Sequence, residues 1–273
     1  MKDCSVGIVT YNSEKTIERT LQALAEHWPE HLSGEVVVVD NGSSDLSCAL
    51  FSQAVERASQ QTGQFNGATH LSFRLIHSPI GNCGYGAGQN QAFAAVESRI
   101  HLIMNPDIAI KNPQSVQALV DCLDQDPSIG LAMPCIVDPD GQVQYLARRD
   151  LTVLDLLLRY LPGRWFARRQ AQHAMQDHDY SQPFDIEFAS GCLMAIRSCD
   201  FAALGGFDPR YFLYAEDADL SRKVREQGLR VRYEPASVVE HSWSRGSYRS
   251  LGLLGRHLQS IWRYFRKWGF RWL

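Results

Sequence analysis

Short apolar runs ending in polar, turn-forming groups recur along the first half of the chain. Residues 5–10 end in Thr10-Tyr11-Asn12-Ser13, after which Ile17, Leu21 and Leu24 return at helical spacing, so the segment reads strand, loop, helix. Residues 35–39 supply four consecutive valines, too β-branched to favour a helix, and open onto Asp40-Asn41-Gly42-Ser43-Ser44-Asp45. Residues 73–77 and 101–104 read as further strands, with a helical pattern from about Gly88 to Glu97 between them. This alternation over the first 130 residues predicts an α/β fold with a mainly parallel central sheet flanked by helices on both faces. In such sheets ligands bind beyond the carboxyl ends of the strands. Here those ends carry Thr10-Tyr11-Asn12, Asp40-Asn41-Gly42, Asn82-Cys83-Gly84-Tyr85-Gly86 and Asn105-Pro106-Asp107.

The second half is less regular. Residues 131–137 read as a strand before the turn Asp138-Pro139-Asp140-Gly141, and a basic, apolar stretch covers 148–170. A strand is expected from Asp185 to Ser190-Gly191, and an acidic helix over 215–227, stopped by Gly228. Leu251, Leu254, Leu258, Ile261, Phe265, Trp268 and Trp272 step by three and four, which predicts an amphipathic C-terminal helix with those residues as its buried seam.

With 273 residues and 45% hydrophobic content, the chain can bury the core of one large domain. A net charge of −3 and a pI near 6.3 argue against nucleic-acid binding. Charge is nevertheless uneven, because no Asp or Glu follows Glu240 while arginines continue to Arg271. Seven cysteines without a C-x-x-C pair suggest reduced thiols of a cytoplasmic protein. No run of 18 apolar residues occurs, so the expected location is cytoplasmic, peripheral at the inner face of the membrane.

Three features could carry chemistry. Asp107 closes a strand in a tight turn, where oxygen ligands suit Mg²⁺ or Mn²⁺ and leave positions open for phosphate oxygens. Glu216-Asp217-Ala218-Asp219 opens a helix behind Tyr211-Phe212-Leu213-Tyr214. The helix dipole alone favours acids there, but apolar walls also raise a carboxylate's pKa and suit it to general-base work. His241 follows a strand-like run; its neutral imidazole suits a transition metal, although spacing alone does not place it beside Asp107. The loop of residues 81–88 allows close backbone approach to a ligand but lacks a P-loop lysine.

Taken in order, Val9-Thr10-Tyr11-Asn12, Val39-Asp40-Asn41-Gly42-Ser43, Asn82-Cys83-Gly84-Tyr85-Gly86 with Asn90, Asn105-Pro106-Asp107, Ser190-Gly191 and the long motif at residues 205–220 resemble the inverting family-2 glycosyltransferases of GT-A fold, in particular their rhamnosyltransferase-like branch. The likeness runs from about Val6 to Trp268. It implies a GT-A domain over 1–245, with a nucleotide-sugar half at 1–130 and an acceptor half at 131–245, followed by a basic helix at 246–273. It further implies that Thr10, Tyr11, Asn12, Asp40, Asn41, Gly42, Asn82, Gly84, Gly86, Asn90 and Asn105 line the donor site. Asp107 and His241 would hold Mg²⁺ or Mn²⁺. Asp217 would be the base, Glu216 would assist it or orient the loop, and Ser190, Gly191 and Glu216 would meet the acceptor. Asn105 stands where the family's metal motif begins with an acid, which implies a weaker metal grip.

The implied reaction moves a sugar, L-rhamnose from dTDP-rhamnose first among candidates, onto a hydroxyl of a lipid-linked saccharide in bacterial cell-surface (O-antigen-like) polysaccharide synthesis. Alternatives are a UDP-hexose donor, a sugar-phosphate nucleotidyltransferase, or a non-catalytic carbohydrate-binding module. The basic aromatic tail suits an anionic membrane surface, its own core or a homo-oligomer contact. The basic, apolar 148–169 stretch, with Leu151, Leu154, Leu157, Leu158, Trp165 and Phe166, is a second acceptor or membrane contact.

Overall fold

The computed structural model describes residues 1–61, 70–159, 166–242 and 251–272. The first part alternates as expected: β1 (Lys2–Thr10), α1 (Ile17–His27), β2 (Gly34–Asp40), α2 (Ser47–Gln61), β3 (Leu71–His77), α3 (Tyr85–Ala94), β4 (Ser98–Met104) and β5 (Ile108–Ile110). The four valines of β2 are fully buried and alternate between layers. Val36 and Val38 join the main core with Ile17, Leu21 and Leu24 of α1, while Val37 and Val39 meet Val9 and Ala92 on the other face. Two apolar faces explain why β2 reads as a continuous rather than an alternating run.

The second part comprises α4 (Gln114–Gln125), β6 (Ile129–Val137), α5 (Val153–Arg159), α6 (Ala167–His173), β7 (Phe184–Ile186), β8 (Leu193–Arg197), α7 (Ser198–Ala203), α8 (Glu216–Glu226), β9 (Arg230–His241) and α9 (Leu251–Trp268). The sheet runs β3-β2-β1-β4-β8-β6-β9-β5, with β7 also on β9. The β1, β2, β3 and β4 ladders and the β6–β9 ladder are parallel; β8 joins β4 to β6 antiparallel to both. Parallel register puts Thr10 opposite Asp40 and Asp40 opposite His77, so the polar strand ends form one row.

Several expectations need correction. The helix expected at 88–97 begins at Tyr85 and ends at Ala94, because the glycines that suggested a loop lie inside it. No strand runs from Asp185 to Gly191: β7 stops at Ile186, and residues 187–192 turn into β8, a strand the sequence reading missed. Short β5 was missed as well, its three residues being too few for a period to register. The C-terminal helix stops at Trp268, where Gly269 takes φ +89°, leaving Trp272 beyond it. Its buried face is also displaced, because His257, Ser260, Tyr264 and Phe265 are buried while Leu254 and Leu258 are exposed. The expected boundary at 245/246, together with Trp165, lies outside the described residues.

Gly88 fixes how closely α3 lies on the sheet, since a Cβ there would come within 2.7 Å of a Val9 methyl carbon. Gly88→Ala gains about 1 kcal/mol in helix propensity and loses about 1–3 kcal/mol to overpacking. A net destabilisation is therefore expected in urea unfolding, and a more stable variant would show that α3 shifts freely.

Candidate active site

Four polar loops meet at the carboxyl edge of the sheet. On the β1–β2 side, Asp40 is buried and its Oδ1 accepts the Ser43 N–H at 3.1 Å, while Oδ2 lies 3.3 Å from His77 Nδ1. Burial disfavours its charge, but the bonds from Ser43 and His77 outweigh that effect and hold the carboxyl below its usual range. Asn12, at φ +54°, accepts the Ser44 N–H at 2.8 Å and so ties the β1 loop to the β2 loop. Thr10 is buried with an unpartnered hydroxyl, and Tyr11 is exposed above it.

Asn41 organises the glycine-rich loop. Its Nδ2 donates to Asn82 Oδ1 and the Gly84 carbonyl, and its Oδ1 accepts the Cys83 N–H. Gly84, at φ +90°, leaves room for the Phe212 carbonyl, which a Cβ would meet at 2.4 Å, and the Tyr85 N–H donates to that carbonyl. Gly86 packs on Phe207. Asn90 engages both ends of its amide with the Phe207 backbone, so it braces the second half of the site from below.

Asp107 and His241 come together through β5–β9 pairing, in which Ile108 stands opposite His241. Gln144 donates to the His241 carbonyl at 3.1 Å, which turns its Oε1 toward His241 Nδ1 at 2.9 Å. Nδ1 then donates to that oxygen, and in the neutral ring the Nε2 lone pair faces Asp107 Oδ2 at 3.4 Å. Two lone-pair donors face each other, and Asp107 Oδ1 is buried without a partner. Such a pair fits a divalent cation bound between them, with Gln144 fixing the tautomer as a supporting residue. A trio, Asp40, Cys48 and His77, also brings three ligand atoms within 4.8 Å. Burial, followed by the Asp40 charge, pushes the Cys48 thiol up to about 11, so it keeps its proton at neutral pH.

Opposite lies the start of α8. Tyr214 and Ala215 both adopt left-handed backbone (φ +71° and +66°), a strained arrangement immediately before Glu216 and Asp217. Asp217 Oδ2 accepts the Gly191 N–H at 3.0 Å, and its Oδ1 accepts that of Ala218. Tyr85 donates to the Gly191 carbonyl at 2.9 Å. Ser190 faces the Cys192 thiol at 3.2 Å. Burial raises the Asp217 carboxyl above its ordinary value. Glu216 is raised further, by burial and then by the Asp217 charge; its Oε2 has no partner, and its Cβ faces Gly86. Asn105 joins the two sides, for its N–H donates to the Cys192 carbonyl at 2.8 Å, one residue from Gly191.

Helix α9 holds the strained turn. Arg256 lies 3.6 Å over the Phe212 ring, His257 meets the Tyr214 ring at 4.5 Å, and Ser260 donates to the Leu213 carbonyl. Deeper, buried Asp219 receives Lys267 Nζ at 2.7 Å and Trp268 Nε1 at 2.7 Å. The sequence reading missed Tyr85, Gln144 and this Asp219 network. Their partners lie 97 or more residues away for Tyr85 and Gln144 and 48 for Lys267, and no local pattern marks such pairs.

The Glycosyl transferase family 2 profile matches residues 5–198. N-acetylglucosaminyl-diphospho-decaprenol L-rhamnosyltransferase of Mycobacterium tuberculosis is 29% identical over 250 residues, covering 86% of this chain and 75% of that protein. Rhamnosyltransferase WbbL of Escherichia coli is 24% identical over 194 residues, covering 67% of this chain and 70% of that protein. Among solved structures, the mannosyltransferase PcManGT from Pyrobaculum calidifontis, in complex with GDP-Man and Mn²⁺, superposes with TM-score 0.65 at 22% identity, over 97% of this chain and 64% of that one. GalNAc-T7 with UDP, GalNAc and Mn²⁺ superposes with TM-score 0.64 at 18% identity, over 98% of this chain but only 50% of that one. The fold is GT-A, as the motifs implied.

Two outcomes follow from these contacts. Glu216 ionises from about pH 4.3 upward when unfolded but resists ionisation when folded, so its stabilising effect is full below that pH and is lost as pH rises toward the folded pKa. Thermal melts between pH 4 and 8 should show the wild type losing stability relative to Glu216→Gln as pH rises; parallel curves would remove the shift. Lys267→Met removes the nearer of two counter-charges from buried Asp219, leaving Lys223 Nζ at 4.0 Å, and should destabilise by up to about 3 kcal/mol. Adding Asp219→Asn should recover part of that loss in a double-mutant cycle, whereas additive losses would show that the pair is uncoupled.

Proposed function

Because the chain belongs to glycosyl transferase family 2, we propose that it transfers L-rhamnose from dTDP-rhamnose, with inversion, to a hydroxyl of a lipid-linked saccharide during bacterial cell-surface polysaccharide synthesis. The reading is carried by one arrangement. The Asp107–His241 pair and the Asp217 carboxylate are tied by a short backbone link: Asn105, two residues before Asp107, donates to the Cys192 carbonyl, next to the Gly191 whose N–H holds Asp217. The names of the Mycobacterium tuberculosis and Escherichia coli relatives support the rhamnosyl donor and, for the first, a lipid-diphosphate acceptor.

The donor nucleoside lies along Thr10, Tyr11, Asn12 and Asp40, under the loop that Asn41 holds in shape. Asp107 and His241 would hold a Mg²⁺ or Mn²⁺ ion, which would supply positive charge to offset the negative charge developing on the departing diphosphate. Asp217 accepts the proton of the attacking hydroxyl. The bond from acceptor oxygen to anomeric carbon forms as the bond to diphosphate breaks, the nucleoside diphosphate leaves, and a single displacement inverts the configuration. The Gly191 N–H keeps the base aimed, and its raised pKa places the proton acceptor nearer to neutral pH. Glu216, against Gly86, orients the donor loop from the catalytic helix.

Among the described residues no helix is long and apolar enough to cross a membrane. We assign contact with an anionic membrane surface to the exposed Leu254 and Trp272 and the arginines around them.

Asp217→Asn should lower transfer by about 10²–10⁴-fold while nucleotide binding, read by calorimetry, persists. Undiminished transfer would sink the base assignment. Chelation should abolish transfer and added Mn²⁺ restore it; chelator-resistant activity would remove the metal. A panel of nucleotide sugars scored by product formation tests the donor, and preference for a UDP-hexose would overturn rhamnose.

A further inference from the structure

Between α5 and α9 lies an apolar groove of about 260 Å³ whose walls include Leu156, Leu157, Leu258, Ile261, Trp262 and Phe270. Four of these large side chains are more than half exposed: Leu157 at 59%, Leu258 at 56%, Phe270 at 55% and Trp262 at 52%. Singly exposed apolar residues are ordinary, but a contiguous concave set marks an interaction site. Its floor includes Phe265, which belongs to the same buried cluster as Tyr211, Ala215 and Ala218, so the groove shares a wall with the turn that presents the base. His257, at the groove's edge, meets the Tyr214 ring three residues before Asp217.

We propose that this groove is a hydrocarbon slot that receives the lipid end of the acceptor while its sugar hydroxyl lies at Asp217. The inference rests on the reading of the chain as a transferase to lipid-linked saccharides and names where that lipid goes. A cavity of about 150 Å³ lined by Leu, Ile and Phe takes a six-carbon benzene ring. By proportion, 260 Å³ holds about ten carbons of chain, or two isoprene units. Charge complementarity fits the anionic diphosphate that joins sugar to lipid: Arg256 lies over the Phe212 ring, Arg266 lies over Trp262 on the groove wall, and no acidic residue follows Glu240. Concavity and the shared wall with the catalytic turn favour a single chain over a bilayer face.

The test uses the full chain, without vesicles, and acceptors with one sugar-diphosphate head and hydrocarbon tails from two to about twenty carbons. In the wild type, kcat/KM should climb at least tenfold up to about ten carbons and then level off. In Leu157→Glu/Leu258→Glu, two exposed positions, the ratio of long-chain to short-chain kcat/KM should fall toward one, with the donor-induced thermal shift confirming a folded protein. Separately, dodecyl phosphate should shift the tryptophan emission to the blue, and Trp262→Phe should remove most of that shift. Equal kcat/KM at all lengths would overturn the slot, as would a length dependence that appears only with anionic vesicles, which assigns the groove to a bilayer. A concentration-dependent dimer broken by the double variant would assign it to a second copy. No transfer to any acceptor, with the emission shift intact, would defeat the functional reading and leave the slot standing.

Discussion

A buried carboxylate on α8, Asp219, constrains the whole catalytic half. It is 1% exposed, and a charge so placed is tolerated only with a matched partner. Lys223 of α8 stands 4.0 Å away, and Lys267 and Trp268 supply the closer partners from the last turn of α9, so docking of the C-terminal helix completes the surroundings of this carboxylate. Docking brings Arg256, His257 and Ser260 down onto Phe212, Tyr214 and Leu213. Those contacts stabilise a turn whose two left-handed, non-glycine residues are unfavourable on their own. The tail that sequence alone presents as an appendage is therefore a structural half of the site.

The cleft also separates carboxylates by environment. Asp40 is surrounded by donors and stays ionised, which suits a group that recognises neutral hydroxyl or amide hydrogens of a nucleoside. Glu216 Oε2 has no partner, and Asp217 is desolvated strongly enough to outweigh its two backbone N–H donors, so both hold protons more tightly. Environment thus sets the proton affinity of the same functional group in opposite directions at the two places.

What the sequence disclosed follows from the range of each interaction. β2 was legible because four valines can only be buried, and the 215–227 helix because its acids and Gly228 mark both ends. Asp107 and His241 are 134 positions apart, and spacing could not join them; family resemblance suggested the pair, and β5–β9 register accounts for it. Gln144 carried no signal because its task is to set a tautomer on a residue 97 positions away. The α9 seam went wrong for another reason. Helical period reveals apolar stripes, but the face of α9 docked on the turn carries Arg256, His257 and Ser260, while Leu258, Ile261 and Trp262 line the groove with α5.

The hydrogen bond from Tyr85 to the Phe212 carbonyl, made across the bare α-carbon of Gly84, has a consequence for how such enzymes diversify. The loop of residues 81–88 and the turn at 207–217 share a seam that has no room for a side chain at Gly84. Because the bond is main chain to main chain, a loop from a relative keeps it only if glycine stands at position 84, where any Cβ would collide with the Phe212 backbone. The two segments can therefore vary in their side chains so long as residue 84 carries none, which makes this glycine the fixed point between them.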